Sequence, residues 1–203
     1  MIVVRPLTVF ERDSVRQFYL ALSKDDRRLR FCAMASDTIV AQYVDRIEFT
    51  RATVLGAFDE RAHLIGLAEL IHAANEGDMA FAVRADRRGM KIGTRLIERL
   101  LVHARMRGIR KVVVMFLSEN TPMRRLAARA GMRVEADGPE CNAYRELAAP
   151  TAQELTQWSV EDGISHSQYF STLMIARCGS IATESVTSML PRATASQNLP
   201  RAA

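Results

Sequence analysis

The segment from Met79 to Arg107 constrains the fold of this chain more than any other. Strand-like residues (Met79–Ala85) lead through a basic turn that contains Gly89 into a helical pattern. One apolar stripe at helical spacing runs along that helix and consists of Ile92, Leu96, Ile97, Leu100, Leu101 and Ala104. Gly108 is placed to end the helix. The segment therefore predicts a strand, a tight turn and an amphipathic helix in succession.

Three helices are predicted ahead of this segment, each from a side-chain start signal. Thr8 and Glu11 have the spacing of a capping box, in which hydroxyl and carboxylate oxygens accept from otherwise free backbone N–H groups. Ser23 precedes the second helical pattern, and Ser36 with Asp37 precedes the third.

Six strands are predicted, with turn residues between them. Their bounds are Ala52–Phe58, His63–His72, Met79–Ala85, Lys111–Leu117, Met132–Glu135 and Asn142–Leu147. Residues 59–61 and 75–78 are the predicted turns between the first three strands. A last helix is expected to be capped at Thr121, to carry Pro122 in its first turn and to close at Gly131.

The composition excludes several classes of protein. With 203 residues, of which 48% are apolar and 25% are charged, the chain can bury the core of one domain. It has no run of 18 apolar residues, which excludes a membrane span, and its N-terminus does not resemble a secretory signal. Cys32, Cys141 and Cys178 have neither disulfide nor metal-ligand spacing, so we expect a cytoplasmic protein without a metal site.

A change in composition after Leu147 predicts two parts of the chain. Residues 1–147 carry a net charge of +6 and residues 148–203 a net charge of −1, which together give the +5 of the whole chain. The second part is rich in Ser and Thr and contains one candidate helix, Ile164–Arg177, after which we expect disorder. We therefore assign a folded domain to residues 1–147 and a tail to residues 148–203.

The turn at Arg88–Thr94 carries the clearest chemical signal. A turn that enters a helix leaves backbone N–H groups free at the positive end of the helix dipole. Gly89 lets a ligand approach the backbone closely and Arg88 can add charge-assisted hydrogen bonds, so a pyrophosphate fits there. By itself the turn could equally be an ordinary connection with surface arginines.

In its context this segment resembles motif A of the GNAT superfamily of acetyl-CoA-dependent N-acetyltransferases. The motif reads Gln/Arg-x-x-Gly-x-Gly/Ala; Arg88 and Gly93 occupy its first and last positions, and Lys91 replaces its middle glycine. A second family segment, Asn-x-x-apolar-x-x-Leu followed by Gly-Phe, is matched by Asn120, Met123, Leu126, Gly131 and Met132. Residues 22–31 resemble the N-terminal part of the GNAT domains of bacterial protein lysine acetyltransferases. The resemblance covers residues 2–147.

The resemblance implies an α/β (α+β) GNAT fold, in which helices flank a mixed, mostly antiparallel sheet of about six to seven strands. The sheet would splay between Met79–Ala85 and Lys111–Leu117 and hold acetyl-CoA as a cosubstrate. The expected cofactor contacts are Phe81, Ala82 and Val83 for the pantetheine arm, Arg88, Gly89, Met90, Lys91, Ile92, Gly93 and Thr94 for the pyrophosphate, and Asn120. Because the helical pattern begins at Ile92, we expect Lys91 to be helical and tolerated.

Two carboxylates are candidates for the general base that deprotonates the acceptor ammonium. Asp78 precedes the strand Met79–Ala85, where the resembling enzymes tend to carry a Glu, but it also fits a turn residue. Glu69 lies in an apolar strand, where a carboxylate is costly unless paired, so it is either a base or half of a structural ion pair. Many GNAT enzymes have a tyrosine that protonates the leaving thiolate; Ala127 stands at its place, and Tyr144 is the alternative.

The sequence thus predicts an N-acetyltransferase that moves acetyl directly to an amine of a protein lysine or a small molecule. The alternative is a catalytically weak GNAT-like domain that senses acetyl-CoA or CoA and regulates a partner, and Lys91 and Ala127 favour it. The basic residues are scattered and no nucleic-acid-binding signature exists, so nucleic acid is not a predicted partner. The sequence leaves a homodimer open.

Overall fold

Seven strands form one sheet in the computed structural model, which describes residues 2–73, 75–151 and 154. The strands are β1 (Val3–Pro6), β2 (Ala52–Phe58), β3 (Leu64–Ala73), β4 (Glu76–Val83), β5 (Lys111–Leu117), β6 (Arg133–Asp137) and β7 (Glu140–Glu146). Their order across the sheet is β1-β2-β3-β4-β5-β7-β6, and only the pair of β4 and β5 is parallel. This is the mixed, mostly antiparallel sheet that the sequence predicts.

Five helices flank the sheet in the described part of the chain. They are α1 (Arg12–Leu20), α2 (Lys24–Phe31), α3 (Asp37–Asp45), α4 (Ile92–Met106) and α5 (Thr121–Arg129). The predicted starts of α2 and α3 are confirmed, because Ser23 Oγ accepts from the Asp26 N–H at 3.1 Å and Ser36 Oγ from the Ile39 N–H at 3.3 Å. No helix among the described residues is long and apolar enough to cross a membrane.

The sheet separates two apolar cores. Helix α4 buries Ile92, Leu96 and Leu100 against one face, and α1 and α3 cover the other. Side chains alternate between the faces of a strand, so Phe81 of β4 packs in the α4 core and Ala82 packs toward α1 and α3. Even-numbered residues of β4 therefore point to the face that carries α1–α3.

The structure differs from the sequence prediction at β1 and at the turn before β4. The edge strand β1 was not predicted, because it has only four residues and ends in a proline. The predicted turn at residues 75–78 is shorter, and Asp78 lies within β4, paired with Ile71 and Val113. Gly77 looks like a turn residue but serves close packing, since a Cβ there would lie 2.6 Å from Leu70 Cδ1.

The cap of α5 is also displaced by one residue from its predicted place. Asn120, not Thr121, is the N-cap, and its Oδ1 accepts from the Met123 N–H at 3.1 Å. Gly108 and Gly131 have positive φ angles of 75° and 69° and end α4 and α5 as predicted. The predicted helix Ile164–Arg177 lies outside the described residues.

The chain just beyond Leu147 is held to α4 by Arg105. Its guanidinium donates to both carboxylate oxygens of Glu154 at 2.8 and 2.7 Å and to the Ala148 carbonyl at 3.2 Å. These bonds, with others from Thr151, lower the pKa of Glu154 to about 2. Ala148, Ala149 and Glu154 are therefore tied to the surface of α4 through Arg105.

Truncation after Leu147 is expected to leave a folded domain, because both cores consist of residues up to Leu147. Its melting temperature should lie below that of a chain truncated after Glu154, which keeps the Arg105 contacts, by no more than a few degrees. Circular dichroism melts of the two truncated chains and the full chain measure this. An unfolded shorter chain would show that the domain boundary lies further along the sequence.

Candidate functional site

The ladder between β4 and β5 ends at Asp78, where the sheet opens. Only three pairs join the two strands: Glu76 with Lys111, Gly77 with Val112, and Asp78 with Val113. Beyond them β4 continues along β3 to Val83, and β5 continues along β7 to Leu117. The splay that the resemblance implies is therefore present at the predicted strands.

The opening exposes backbone groups of β4 on the side of β5. In an antiparallel pair, every second residue of a strand directs its N–H and C=O groups to the partner strand. The Arg84 N–H donates to the Ile65 carbonyl at 3.1 Å, so the residues of β4 that bond to β3 are the even-numbered ones. Even-numbered residues of β4 thus point their N–H and C=O groups to β3, and odd-numbered ones point theirs to β5. The backbone groups of Met79, Phe81 and Val83 therefore face the gap, where β5 no longer pairs with them.

A cleft of about 450 Å³ joins this gap to the turn before α4. The predicted cofactor residues that line it are Phe81, Ala82, Val83, Arg88, Gly89, Lys91, Ile92, Gly93, Thr94 and Asn120. Met90 does not line it, and its side chain is half-exposed. Sequence reasoning did not assign the other lining residues, which are Leu22, Asp26, Leu29, Arg30, Arg87, Pro122, Met123, Arg125, Leu126 and Arg129. Arg87 belongs to the turn itself; the others come from α2 and α5 and from the residues beside those two helices, and only the tertiary fold brings them here.

Helix α4 starts without a side-chain cap. Its N-cap is Lys91, whose ammonium has no acceptor atom, and the first α-helical bond runs from the Arg95 N–H to the Lys91 carbonyl at 3.1 Å. The N–H groups of Gly93 and Thr94 are left for an outside acceptor at the positive end of the helix dipole. An anion can supply that acceptor.

The backbone of Lys91 is left-handed, with φ 59° and ψ 19°, so the prediction that it is helical is wrong. The turn needs positive φ at Gly89 (80°) and again two residues later, because the chain must reverse between the end of β4 and the start of α4. Glycine adopts this conformation without steric cost, whereas a side chain with a Cβ destabilises it by about 1–2 kcal/mol.

Two arginines of the turn are held by carboxylates from other elements. Arg88 forms an ion pair with Asp26 of α2. Arg87 Nη2 lies 3.3 Å from Oδ2 of the buried Asp59. Burial would raise the pKa of Asp59, but hydrogen bonds from the backbone of His63 and Arg61 outweigh it and lower the pKa, so Asp59 stays charged at neutral pH.

The two candidate bases lie on the same face of the sheet in different surroundings. Asp78 is exposed at the end of the β4–β5 ladder, and its carboxylate has no hydrogen-bond or ion-pair partner within residues 2–73, 75–151 and 154. Glu69 is only 1% exposed. It accepts from the Tyr19 hydroxyl at 2.6 Å, from Arg30 Nη2 at 2.8 Å and from the Tyr43 hydroxyl.

The donors to Glu69 keep their protons at neutral pH. Burial raises the pKa of Tyr19 well above its ordinary value and that of Tyr43 to about 12. The guanidinium of Arg30 lies 5.1 and 5.3 Å from the ring centroids of these tyrosines and 4.8 Å from that of Phe31. The Glu69 carboxylate is thus half of a buried, fully partnered ion pair.

The candidates for a general acid have different environments. Ala127 is fully buried in the α4 core and has no proton to give. Tyr144 lies on β7 opposite Val113, which is itself opposite Asp78. Its hydroxyl donates to Glu135 Oε1 at 2.6 Å and accepts from Arg133 Nη1 at 3.4 Å. Asp78 and Tyr144 are therefore two strands apart in one row of the sheet, about 10 Å between backbones.

Replacing Lys91 with glycine is expected to stabilise the fold. The strain of a left-handed lysine is removed, and after allowance for the greater freedom of glycine in the unfolded chain we expect about 0.5–1 kcal/mol. Denaturant unfolding measures the change, with Lys91→Ala as the control that removes the ammonium but keeps the Cβ. If Lys91→Gly were instead less stable than Lys91→Ala by about 0.5–1 kcal/mol, the cost of the freedom of glycine in the unfolded chain, the left-handed conformation would store no strain.

Comparisons with known proteins match the same fold. The GNAT domain of S. lividans PAT is 23% identical, with a TM-score of 0.61 over 71% of this chain and 89% of that one. PaiA N-acetyltransferase from Thermoplasma acidophilum, in complex with coenzyme A, is 18% identical, with a TM-score of 0.56 over 72% and 99%. A phosphinothricin acetyltransferase from Sinorhizobium meliloti, in complex with AcCoA, is 16% identical, with a TM-score of 0.56 over 74% and 94%. The acetyltransferase (GNAT) family model matches residues 10–132, more than half of the sequence, and the chain belongs to the GNAT acetyltransferase family.

Proposed function

We propose that this protein transfers the acetyl group of acetyl-CoA to a lysine side chain in a basic protein segment, with Asp78 as the general base. The observation that carries the proposal is the cleft in which the unpaired edge of β4 meets the uncapped start of α4. The first feature offers amide donors and acceptors to the pantetheine arm. The second offers N–H groups and arginines to the pyrophosphate.

Acetyl-CoA supplies an activated thioester, and the residues around the gap supply the rest of the reaction. Asp78 accepts a proton from the acceptor ammonium, directly or through a water molecule, so that the neutral amine attacks the thioester carbonyl. A C–N bond forms, the C–S bond breaks, and CoA leaves as a thiolate; the nitrogen loses its second proton as it becomes an amide, and this balances the proton that the thiolate gains. Backbone N–H groups of β4 that face the gap are suited to stabilise the carbonyl oxygen during attack.

The geometry favours Asp78 over Glu69 as the base. A base needs a lone pair that can reach the substrate, and Asp78 is exposed at the bottom of the gap. Glu69 is only 1% exposed and already accepts three hydrogen bonds, one of them from the cationic Arg30, so its carboxylate is not open to a substrate. Glu69 is better assigned to holding α1, α2 and α3 on the sheet.

The acceptor class follows from the exposed face of the sheet around Asp78. Contacts from Lys111 Nζ to Glu76 (2.9 Å) and to the Tyr144 ring (5.9 Å) place these side chains on one face. By strand alternation that face carries the carboxylates of Glu76, Asp78, Glu135, Asp137, Glu140 and Glu146, and the cations Lys111 and Arg133. An acidic face beside the base favours an acceptor lysine with basic neighbours over an anionic small molecule.

A second candidate is a domain that senses acetyl-CoA or CoA without turnover. The strained Lys91, the ion pair that occupies Arg88 and the alanine at position 127 favour it. Binding of acetyl-CoA without release of free thiol in the presence of acceptors would identify it. For either function we propose action in the cytosol, where Cys32 and Cys141 stay free thiols.

Asp78→Asn is expected to lower kcat about a hundredfold or more, because the amide cannot accept the ammonium proton. The Kd of acetyl-CoA and the melting temperature should stay near those of the wild type, since the Asp78 side chain is exposed and does not line the cleft. Release of free thiol with a lysine peptide as acceptor measures kcat, and calorimetry measures Kd.

Glu69→Gln is the matched comparison for that experiment. It leaves Arg30 buried without its counter-charge and should destabilise the fold by about 3 kcal/mol or more. If Asp78→Asn kept full turnover while Glu69→Gln remained folded and lost it, the roles assigned here would be reversed.

The acidic face predicts a charge preference among acceptor peptides. A lysine peptide with arginine neighbours should have a lower KM than the same peptide with glutamate neighbours, and added salt should narrow the difference. A charge-reversed face, Glu135→Lys with Asp137→Lys, should weaken the preference without changing the Kd of acetyl-CoA. Equal KM values for both peptides at low salt would argue against a basic protein acceptor.

A further inference from the structure

Three cations around the cleft have no assigned partner. Lys91 on the turn and Arg125 and Arg129 on α5 all line the cleft, and none of their side chains makes a hydrogen bond or ion pair within the described ranges. The other arginines of the turn differ, since Arg87 is bound by Asp59 and Arg88 by Asp26. The cleft therefore carries three positive charges, on the turn and on α5, that no carboxylate of the described residues pairs with.

Helix α5 holds two of its three arginines, Arg125 and Arg129, in the cleft beside the turn. A Cβ built on Gly93 would lie 3.4 Å from Leu126 Cδ2, an ordinary contact distance, so α5 packs directly against the start of α4. Arg125 and Arg129 flank Leu126 and are four residues apart, which places them on neighbouring turns of one helix face. Like charges at this spacing repel, and α5 contains no acidic residue to offset them. An anion between them would remove the repulsion.

Acetyl-CoA carries three phosphate groups, and the cleft has to provide hydrogen-bond donors or cations for each of them. The free N–H groups at the start of α4 are suited to the two phosphates of the pyrophosphate, and Arg87 and Arg88, although paired with Asp59 and Asp26, also line the cleft there. The third phosphate, on the ribose 3′-oxygen, is a monoester with a charge of about −1.5 to −2 at neutral pH. It requires further cations, and guanidinium groups bind such oxygens in pairs of hydrogen bonds.

We propose that Arg125 and Arg129 bind the 3′-phosphate of CoA, with Lys91 adding positive charge from the turn before α4. This inference rests on the proposed function, because it takes acetyl-CoA as the ligand of the cleft. Its consequence is selectivity for the donor: the protein distinguishes CoA from 3′-dephospho-CoA, which has the same thiol, pantetheine arm and pyrophosphate. The acyl-transfer chemistry itself does not require this distinction.

The test compares CoA with 3′-dephospho-CoA by calorimetry, on the wild type and on the double variant Arg125→Gln/Arg129→Gln. Glutamine keeps much of the side-chain length and the helix propensity but removes the charge. The wild type should bind CoA at least about tenfold more tightly than 3′-dephospho-CoA, as expected for charge-assisted hydrogen bonds. In the double variant the Kd of CoA should rise to that of 3′-dephospho-CoA, whose own Kd should change by less than about threefold.

Arg124→Gln is the matched control on the same helix. Arg124 lies next to Arg125 in sequence but donates to the Ser118 carbonyl at 2.9 Å and approaches Cys141 Sγ at 3.4 Å, away from the cleft. The ratio of the two Kd values should be unchanged in this variant. Melting temperatures of all variants show whether a change in affinity reflects a change in folding.

The outcomes separate this inference from the proposed function. If the wild type bound both ligands equally well, or if the double variant weakened both by the same factor, the arginines would not read the 3′-phosphate, and the inference would be overturned while CoA binding stood. If the double variant raised the KM of the peptide acceptor and left both Kd values unchanged, the arginines would serve the acceptor instead, which also overturns it. If neither ligand bound at millimolar concentration, the proposed function itself would fail.

Discussion

The early end of the parallel β4–β5 ladder is the constraint on which the site depends. Buried backbone N–H and C=O groups have to be paired, so a strand can leave its neighbour only where water or a ligand takes over the pairing. Three residue pairs keep the two strands together at the base, where Gly77 packs under Leu70 and Ile109. Beyond Asp78 the edge of β4 is free to bind an extended ligand as a neighbouring strand would. One structural feature thus provides both the floor of the cleft and the position of the proposed base.

The layer that covers this gap is held in place by a buried charge. Glu69 and Arg30 are nearly inaccessible to solvent and share hydrogen bonds with two tyrosines. A buried ion pair of this kind contributes little net stability, because desolvation offsets the attraction between the charges. It does disfavour every arrangement in which α2 leaves the sheet with Arg30 unpaired. The network therefore fixes where α2 lies, and α2 supplies Asp26, Leu29 and Arg30 to the cleft.

Local patterns predicted those parts of the fold whose apolar residues repeat without interruption. The bounds of β2 and β5 and the first residue of α4 agree with the sequence prediction, because burial gives these segments strong periodicity.

Other parts of the prediction failed where a residue has a role that only the tertiary structure shows. Glycine before aspartate is typical of a turn, so Gly77 and Asp78 were assigned to one. In the structure Gly77 lies within β4, where the side chains of Leu70 and Ile109 leave no space for a Cβ. Lys91 gave no local sign of a left-handed backbone, because that conformation is imposed by the two elements that the turn joins. The turn at Arg88–Thr94 is recognisable as a contiguous motif, but Asp26, Arg125 and Arg129 could be placed beside it only by tertiary contacts.

The distribution of charge explains why a strained lysine can persist at the turn. The end of β4 and the start of α4 gather cations, whereas the start of β4 opens onto a face with more carboxylates than cations. Asp78 and Val83 are five residues apart on one strand, which is about 16 Å. The carboxylates near Asp78 and the cations near Val83 therefore act on different ends of the bound reactants. Under the proposed function, an anionic donor is attracted to one end and a cationic acceptor to the other, so the two do not compete for one place. A glycine at position 91 would remove the backbone strain, but it would also remove a positive charge from the end of the cleft beside the start of α4. A strain of about 1 kcal/mol at a ligand-binding turn is the kind of local cost that a stable surrounding fold tolerates.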